Sequence, residues 1–258
     1  MPSNDRGVLL NSTNLITSRS VEIGYGGKAL LPHFDLSIGR GEFWAVIGRN
    51  GSGKTTWLRT VLGLMDPLSG RIEFASGLKL AYLPQRGSAE DLYPVTAYDV
   101  VAMGCQRGWS FFGLGRDQRK RAQHALELMD VGNLSERRFS ELSEGQRQRV
   151  LFARVAAAQA DVALLDEPTS ALDLVAEREA FELLRRLKEE SNTTIIIVSH
   201  YVRLVAEYAD HAILLDRDTP AVVLGTPEQV FEHPSFRARY GVGLPSRDLA
   251  QAPLQAVD

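Results

Sequence analysis

Between an apolar run and a helical pattern, the chain reads Gly48-Arg49-Asn50-Gly51-Ser52-Gly53-Lys54-Thr55. The apolar run at residues 43–47 predicts a strand, so the order is a strand, a glycine-rich loop and a helix N-terminus. Successive backbone N–H groups and the positive end of the helix dipole can surround an anion there, because glycines keep side chains out of the way. The segment therefore predicts a cradle for phosphate groups.

This loop has the residues that a nucleotide site needs. Lys54 is expected to reach the β- and γ-phosphates as a point charge, and Thr55 to place its hydroxyl on Mg²⁺. The predicted nucleotide contacts are Gly48, Asn50, Gly51, Ser52, Gly53, Lys54, Thr55 and Thr56. A chance glycine turn is the alternative, and the position between a strand and a helix argues against it.

The composition narrows the class of protein. The chain has 258 residues, 44% of them hydrophobic, which is enough to bury a core in one domain or in two lobes of one. A net charge of −3 gives no support to a nucleic acid as the main partner. No apolar run approaches the roughly 20 residues that cross a bilayer, and the N-terminus lacks a signal-peptide pattern. We therefore expect a cytosolic protein unless a partner holds it at a membrane.

The order of elements predicts an α/β fold with a helical insertion. Strand-like segments separated by glycine turns come first, at residues 21–23, 34–38, 43–47 and 71–74. From about residue 96 to 160 the apolar spacing is helical, and one predicted helix face is formed by Ala122, Ala125, Leu126, Leu128 and Met129. Strands at 162–165 and 195–198, with a helix at 174–189 between them, predict a parallel sheet.

Polar side chains follow both of these later strands. After the first, Asp166 can hold Mg²⁺, directly or through a water, and Glu167 can polarise an attacking water. After the second, a neutral His200 can bond the γ-phosphate and orient the same water. An acidic strand end or a histidine at a strand end is often structural. Downstream of a phosphate loop, they favour Mg·ATP chemistry.

A second helix N-terminus has the composition of an anion site. Residues 142–146 open a helical pattern, and Ser143 with Gln146 three residues later forms a capping box. A capped N-terminus with a glycine in its first turn can also bind an anion, so the structural and functional interpretations do not compete. A second anion site in the same protein is useful only if that site also contacts a phosphate group.

Taken together, these motifs occur in the order and spacing of one known family. They are the Lys54 loop, Gln85 in Tyr82-Leu83-Pro84-Gln85, residues 142–146, Leu164-Leu165-Asp166-Glu167-Pro168, Ser170-Ala171-Leu172-Asp173 and His200. The set, which spans about residues 21–231, resembles the ATP-binding cassette ATPases of ABC transporters. The resemblance implies an α/β P-loop NTPase core with a mainly parallel sheet, an N-terminal antiparallel β portion and an inserted α-helical subdomain. It implies an ATPase domain at 13–243, with the subdomain at about 86–160. The composition of the two ends, with scattered Pro, Ala, Gln and Asp in the last 15 residues, predicts a disordered 1–12 and a flexible tail at 244–258.

The resemblance also implies a site shared between two subunits. In the family's head-to-tail homodimer, each ATP lies between the phosphate loop of one subunit and the signature of the other. Tyr25 matches the aromatic residue that stacks on adenine, and the alternative is a tyrosine with only a structural role in a turn. Asp173 matches the loop that crosses the dimer interface. The implied signature contacts are Ser143, Gly145 and Gln146. The implied catalytic residues are Glu167, His200 and Gln85, and the implied Mg²⁺ ligands are Thr55, Gln85 and Asp166.

One residue departs from the family pattern. The family usually has glycine where this chain has Glu144, so a carboxylate would lie near the phosphates bound by the opposing subunit. Its charge suits a helix N-terminus by about 0.3–1 kcal/mol, whereas nearby phosphate opposes it. We expect ATP to bind with some loss of affinity.

The segment after Gln85 indicates a partner surface. Trp109, Phe111 and Phe112 lie close together between glycines, and such a group is costly to leave in water. Packing within the helical lobe is the alternative. By resemblance, this region receives the coupling helix of a membrane subunit. Its amino-acid sequence is similar to that of the branch importing metal ions and metal chelates.

The expected protein is thus an ATP-hydrolysing transporter subunit. The resemblance implies a peripheral position on the cytoplasmic face of the inner membrane, integral membrane permease subunits and an extracytoplasmic substrate-binding protein. A transporter cassette for another cargo stays open. A soluble cassette protein that clamps nucleic acid or a ribosomal partner usually needs a coiled-coil insertion or fused cassettes, and the sequence has neither. A third alternative is a degenerate scaffold that binds nucleotide without hydrolysing it. The presence of the implied catalytic residues Glu167 and His200 argues against this alternative.

Replacing Trp109, Phe111 and Phe112 together with serine separates the two interpretations of these aromatics. If they anchor the permease, the variant should fold and bind ATP but lose permease binding, since such anchors often contribute about 2 kcal/mol each. Thermal melting with and without ATP and a permease pull-down measure both effects. Misfolding would favour packing within the lobe, and undiminished permease binding and transport would contradict the partner role.

Overall fold

The computed structural model describes residues 14–85, 94–106, 114–170 and 172–241. The expectations for the aromatics at 109–112, for residues 1–12 and for residues 244–258 lie outside these ranges. The domain boundaries therefore stay predictions.

Strands dominate the first part of the described chain, and helices and strands follow in mixed order. The strands are β1 Asn14–Glu22, β2 Gly24–Tyr25, β3 Lys28–Ala29, β4 Phe34–Gly39, β5 Phe43–Ile47, β6 Ser69–Phe74, β7 Leu80–Leu83, β8 Val162–Asp166, β9 Thr194–Val198, β10 His211–Asp216 and β11 Ala221–Gly225. The α-helices are α1 Lys54–Val61, α2 Ala97–Gly104, α3 Arg116–Leu128, α4 Glu144–Ala157, α5 Leu174–Ser191, α6 Val202–Tyr208, α7 Pro227–Glu232 and α8 Pro234–Tyr240.

Two larger sheets form the core of the fold. The central sheet has the order β11-β10-β5-β9-β8-β7, and its strands are parallel except for β11, which runs antiparallel to β10. The second sheet, β4-β1-β6, is antiparallel, and β2 pairs with β3 in a short hairpin. The predicted mainly parallel sheet with an N-terminal antiparallel portion is confirmed.

The central sheet separates two hydrophobic clusters. On β5, Phe43, Ala45 and Ile47 pack with the helical side, whereas Trp44 and Val46 pack with α1 and the antiparallel sheet. Successive side chains of a strand point to opposite faces, so a strand covered on both faces is apolar throughout. This explains why β5, β8 and β9 appear in the sequence as continuous apolar runs.

Helices α2, α3 and α4 lie between β7 and β8 in the chain and pack on one another. The apolar face predicted for α3 and its end is buried, and its members are Ala122, Ala125, Leu126, Leu128 and Met129. Short 3₁₀ helices at Gly132–Leu134 and Phe139–Glu141 lead into α4. Among the described residues, no helix has the length and apolar character to cross a membrane.

Two elements differ in length from the sequence expectation. Strand β1 starts at Asn14, well before residue 21, because it pairs with β4 on one side and β6 on the other, and this pairing accommodates the polar Thr17 and Ser18 in buried positions. Helix α5 continues beyond residue 189 to Ser191 and ends where Asn192 adopts a left-handed conformation, with φ 50°.

Candidate active site

The predicted site residues follow four neighbouring strands of the central sheet. The phosphate loop follows β5, Gln85 follows β7, Asp166 and Glu167 end or follow β8, and His200 follows β9. These strands are parallel and in register, with Val46 beside Val198 and Val198 beside Asp166. Because parallel strands present their carboxyl ends at one edge, the pairing brings these segments together.

The loop backbone depends on glycine at two closely packed points. At Gly48, φ is 154° and a Cβ atom would lie 2.5 Å from the carbonyl oxygen of Leu215. At Gly53, the N-cap of α1, φ is 104°, a conformation that residues with a Cβ rarely adopt. The first turn of α1 has no acidic residue, so nothing on that helix neutralises its positive end.

Lys54 connects the loop to the end of β8. Its Nζ donates to the carbonyl oxygens of Gly48 at 2.8 Å and Arg49 at 3.2 Å, and it lies 3.5 Å from Oε1 of Glu167. The side chain is only 7% exposed, so a buried ammonium is satisfied by two carbonyls and one carboxylate. A phosphate group near this ammonium would gain a strong, poorly screened attraction.

Glu167 is held by its backbone and by two side chains. Its φ of 46° is left-handed, a conformation that costs a residue other than glycine of order 1–3 kcal/mol and is concentrated at functional sites. Its N–H donates to Val198 at 3.2 Å, and Oε2 accepts a 2.8 Å hydrogen bond from Nε2 of Gln85. Gln85 and Glu167, 82 positions apart in sequence, are thus in direct contact.

Asp166 has a different environment from its neighbour. It is buried, and Oδ2 lies 3.5 Å from the hydroxyl of Tyr82. Burial, followed by the charge of Glu167, raises the pKa of the Asp166 carboxyl, while the charge of Lys54 lowers it. A nearby cation would favour the ionised form.

The oxygen donors at this edge fit Mg²⁺. Thr55, an exposed residue in the first turn of α1, supplies a hydroxyl, Asp166 a carboxylate and Gln85 an amide oxygen. Mg²⁺ is commonly held by one or two carboxylates together with substrate phosphates. Within the described ranges, no group of three His, Cys, Asp or Glu side chains could hold a metal ion, so a protein-only metal cage is not formed there.

His200 is suited to act as a neutral base or donor. Partial desolvation lowers the pKa of its imidazole, the charge of Glu167 raises it and that of Lys54 lowers it. The net shift is downward, so the ring is neutral at physiological pH. Its ring lies 4.0 Å from that of Tyr201.

Tyr25 is half exposed and contacts the phosphate-loop helix. Thr56 donates a 2.9 Å hydrogen bond from Oγ1 to the Tyr25 hydroxyl, and Tyr25 is 48% exposed. An exposed ring tied to the first turn of α1 is available for stacking. The sequence did not indicate this bond, nor the contact of Tyr82 with Asp166, because neither pair has a recognisable local spacing.

The signature residues lie at the N-terminus of α4. Ser143 and Gln146 form the predicted capping box, with hydrogen bonds of 3.1 and 3.4 Å. A Cβ atom at Gly145 would have nothing within 4 Å, so the approach to this helix end is open. Glu144 is 58% exposed and lies 3.8 Å from Arg147. In the part of the chain that the structure describes, no hydrogen bond or ion pair joins Ser143, Gly145 or Gln146 to the phosphate loop.

Asp173 is the N-cap of α5. Its Oδ1 accepts hydrogen bonds from the N–H groups of Val175 at 3.1 Å and Ala176 at 2.9 Å. The next two side chains, Leu174 and Val175, are 45% and 71% exposed despite being apolar. The segment therefore combines a structural cap with an exposed apolar surface.

Lys54→Ala should weaken ATP binding at least tenfold. The variant removes a buried cation, and truncating one partner of a desolvated charge contact costs about 2–5 kcal/mol. Calorimetric titration with ATP measures the change, with Lys120→Ala on an exposed position of α3 as the control. Unchanged affinity in Lys54→Ala would contradict the phosphate-cradle assignment.

Comparison with known proteins agrees with this geometry. A family model described as "ABC transporter" matches residues 31–170. The chain is 32% identical over 231 residues to the zinc import ATP-binding protein ZnuC of Photorhabdus laumondii, covering 89% of this chain and 84% of that protein. It is 32% identical over 233 residues to the manganese transport system ATP-binding protein MntB of Listeria monocytogenes, covering 86% and 95%.

Solved structures show the same fold. A metal-chelate type ABC transporter in an inward-facing conformation has a TM-score of 0.78 and 28% identity, covering 88% of both chains. The protein cbiO1 of Clostridium perfringens, part of the transporter complex cbiONQ, has a TM-score of 0.73 and 26% identity, covering 88% of this chain and 96% of that one. The chain therefore belongs to the ABC transporter family, as one of its ATP-binding, ATP-hydrolysing subunits.

Proposed function

We propose that this ATPase subunit drives import of a metal ion or metal chelate through a separate membrane permease. The observation that carries the proposal is the Lys54, Glu167 and Gln85 contact at the carboxyl edge of the sheet, in a chain similar to zinc and manganese import subunits. The subunit works as an ATP-dependent homodimer, peripheral on the cytoplasmic face of the inner membrane.

In this proposal the phosphate loop binds ATP through backbone N–H groups and Lys54. Tyr25 stacks on adenine, and Thr55, Asp166 and Gln85 hold Mg²⁺. When bound, Mg²⁺ neutralises charge that develops on the transferred phosphoryl group. Three features of the site support these roles. The loop has backbone conformations that favour glycine, the buried ammonium of Lys54 is hydrogen-bonded, and the oxygen donors are of the kind that Mg²⁺ prefers.

Hydrolysis requires a positioned water. Glu167 takes a proton from that water while the water oxygen forms a bond to the γ-phosphorus. The bond from the γ-phosphorus to the β,γ-bridging oxygen breaks at the same time, and ADP leaves. His200 in its neutral form donates to a γ-phosphate oxygen and orients the water, and Gln85 keeps the Glu167 carboxylate in place. The 2.8 Å hydrogen bond from Gln85 and the lowered pKa of His200 support these roles.

The second half of each site comes from another subunit. Ser143, Gly145 and Gln146 bind the γ-phosphate across a head-to-tail interface, and Asp173 lies in the segment that crosses it. Three observations support this: the open helix end at Gly145, the absence of hydrogen bonds and ion pairs from these signature residues to their own loop within the described ranges, and the exposed Leu174 and Val175 beside Asp173. Closure of the dimer on ATP and its reopening after hydrolysis move the permease.

Co-purification tests the transport assignment. The chain expressed with its neighbouring membrane subunits should co-purify with them, and proteoliposomes of the complex with an extracytoplasmic binding protein should take up metal only with ATP. Zinc, manganese and a ferric chelate are compared in parallel as cargo. ATP turnover without uptake of any of the three would contradict metal import, and co-purification with ribosomes or nucleic acid would favour the soluble alternative.

Glu167→Gln should separate ATP binding from hydrolysis. The amide keeps the shape of the side chain but cannot accept the proton, so turnover should fall by about 10²-fold or more while ATP still binds and the closed dimer accumulates. Steady-state ATPase assays on the permease complex measure the loss, with Glu190→Gln on the exposed end of α5 as the control. Turnover near that of the wild type would mean that another group activates the water.

Ser143→Arg should abolish ATP-driven dimerisation without preventing ATP binding. A bulky cation at this N-cap blocks a helix end that has to meet the γ-phosphate of the other subunit. Light scattering in the Glu167→Gln background detects the dimer, and Ser140→Arg, at an exposed position just before the signature, is the control. A normal ATP-dependent dimer in Ser143→Arg would contradict the head-to-tail arrangement.

A further inference from the structure

Glu177, in the first turn of α5, is a buried acid that the proposed mechanism does not use. Its side chain has no exposed surface, and Oε1 accepts a 3.0 Å hydrogen bond from Oγ1 of Thr169. The other oxygen, Oε2, has no hydrogen-bond partner in the described structure. No lysine, arginine or histidine of the described ranges lies within ion-pair distance of the carboxyl group.

Such a site favours the protonated acid. A buried carboxylate without a cation and with one oxygen unpaired is strongly disfavoured, whereas a neutral carboxyl group has less charge to solvate. Burial raises the pKa of Glu177 to about 8, and the hydrogen bond from Thr169 lowers it by a smaller amount. At neutral pH the acid is therefore protonated, and its carbonyl oxygen accepts from the Thr169 hydroxyl.

The hydrogen bond fixes the segment that starts at Glu167. Thr169, itself buried, lies two residues after Glu167. Within the segment, Ser170 donates from its N–H to the carbonyl oxygen of Glu167 at 3.3 Å, and Leu172 to that of Thr169 at 3.0 Å. The segment then ends at Asp173, the cap of α5. It is thus attached to α5 at two points: through Thr169 and Glu177, and through the Asp173 cap.

Glu177 also lies near the segment that carries His200. A negative charge on Glu177 would raise the pKa of the Tyr201 hydroxyl, in addition to the effect of burial, so the two groups are close enough to interact. Tyr201 directly follows His200 and is the N-cap of α6. The charge state of Glu177 is therefore felt at the start of α6 as well as in the segment after Glu167.

We propose that Glu177 acts as a neutral positioning residue, which holds Thr169 on α5 and so sets the position of the Glu167 carboxylate, two residues earlier, for hydrolysis. The inference rests on the proposed role of Glu167. It assigns Glu177 no contact with ATP. A small displacement of a catalytic group can cost a large factor in rate, which makes turnover the sensitive readout.

Three single variants and one double variant of the permease complex test this role. Glu177→Gln keeps a neutral side chain with an accepting oxygen, and its kcat should stay within about twofold of the wild type. Glu177→Leu removes the acceptor at similar volume, and its kcat should fall about tenfold or more while the Kd for ATP changes less than about threefold. Thr169→Val removes the donor and should repeat the effect of Glu177→Leu. The double variant should be no worse than either single variant, because both break one contact.

The outcomes are distinct. Wild-type kcat in both Glu177→Leu and Thr169→Val would overturn the proposal, and if Glu177→Leu fails to fold, Thr169→Val alone decides it. A Glu177→Gln variant as impaired as Glu177→Leu would also overturn it, since a charged carboxylate would then be required. Because kcat is measured on the detergent-solubilised complex, a failure of metal uptake would count against the transport proposal without affecting this readout. Normal turnover in Glu167→Gln would remove the proposed role of Glu167 separately.

The pH dependence of stability gives an independent check of the neutral form. The pKa of Glu177 is about 8 in the folded protein and 4.5 in its unperturbed state, so the folded protein holds a proton that the unfolded chain releases between these values. The stability contributed by this group is therefore complete below about pH 4.5 and is lost as pH rises to about 8. The Tm of the wild type minus that of Glu177→Gln should fall as the pH rises through this window. A difference that rises with pH would show a charged carboxylate and overturn the proposal. Thr169 and Tyr201, the groups identified beside the carboxyl, do not ionise in this range.

Discussion

Parallel pairing of β5, β9 and β8 is the constraint on which the site depends. The phosphate loop, the acidic pair and the histidine are far apart in sequence, and each follows one of these strands directly. A shift of one residue in the register would turn buried side chains to the other face and also displace the residues that follow each strand. The apolar faces on both sides of the sheet therefore fix the register and the catalytic geometry together.

Charge compensation is the second requirement at this edge. Lys54 is almost fully buried, and two backbone carbonyls and the Glu167 carboxylate satisfy its ammonium group. Asp166, only one residue before Glu167, is desolvated and has its pKa raised. The two neighbouring carboxyl groups thus differ in environment, one beside a cation and an amide and one beside a tyrosine hydroxyl. This difference is consistent with the proposed roles of Glu167 as a base and Asp166 as a metal ligand.

Features with a local pattern could be predicted from the sequence. The strand before the phosphate loop, the apolar face of α3 and the capping box at Ser143 are examples, because each depends on residues a few positions apart. The full length of β1 could not be predicted, since pairing on both edges accommodates its polar residues. Nor could the contacts of Gln85 with Glu167, of Thr56 with Tyr25 or of Thr169 with Glu177. These depend on how distant segments pack, and a single sequence without a structure contains no direct record of that packing.

The left-handed backbone of Glu167 has a consequence for how this protein can change over time. Glycine is the residue that adopts φ near 46° without a Cβ penalty, so a Glu167→Gly variant would relieve strain at the end of β8. It would also lack the carboxylate. The loss of the carboxylate opposes the relief of strain, because the buried ammonium of Lys54 would keep only its two backbone carbonyls and Gln85 would lose its acceptor. Backbone strain and charge compensation therefore act in opposite directions at this one residue, and a glycine there would exchange one cost in stability for another.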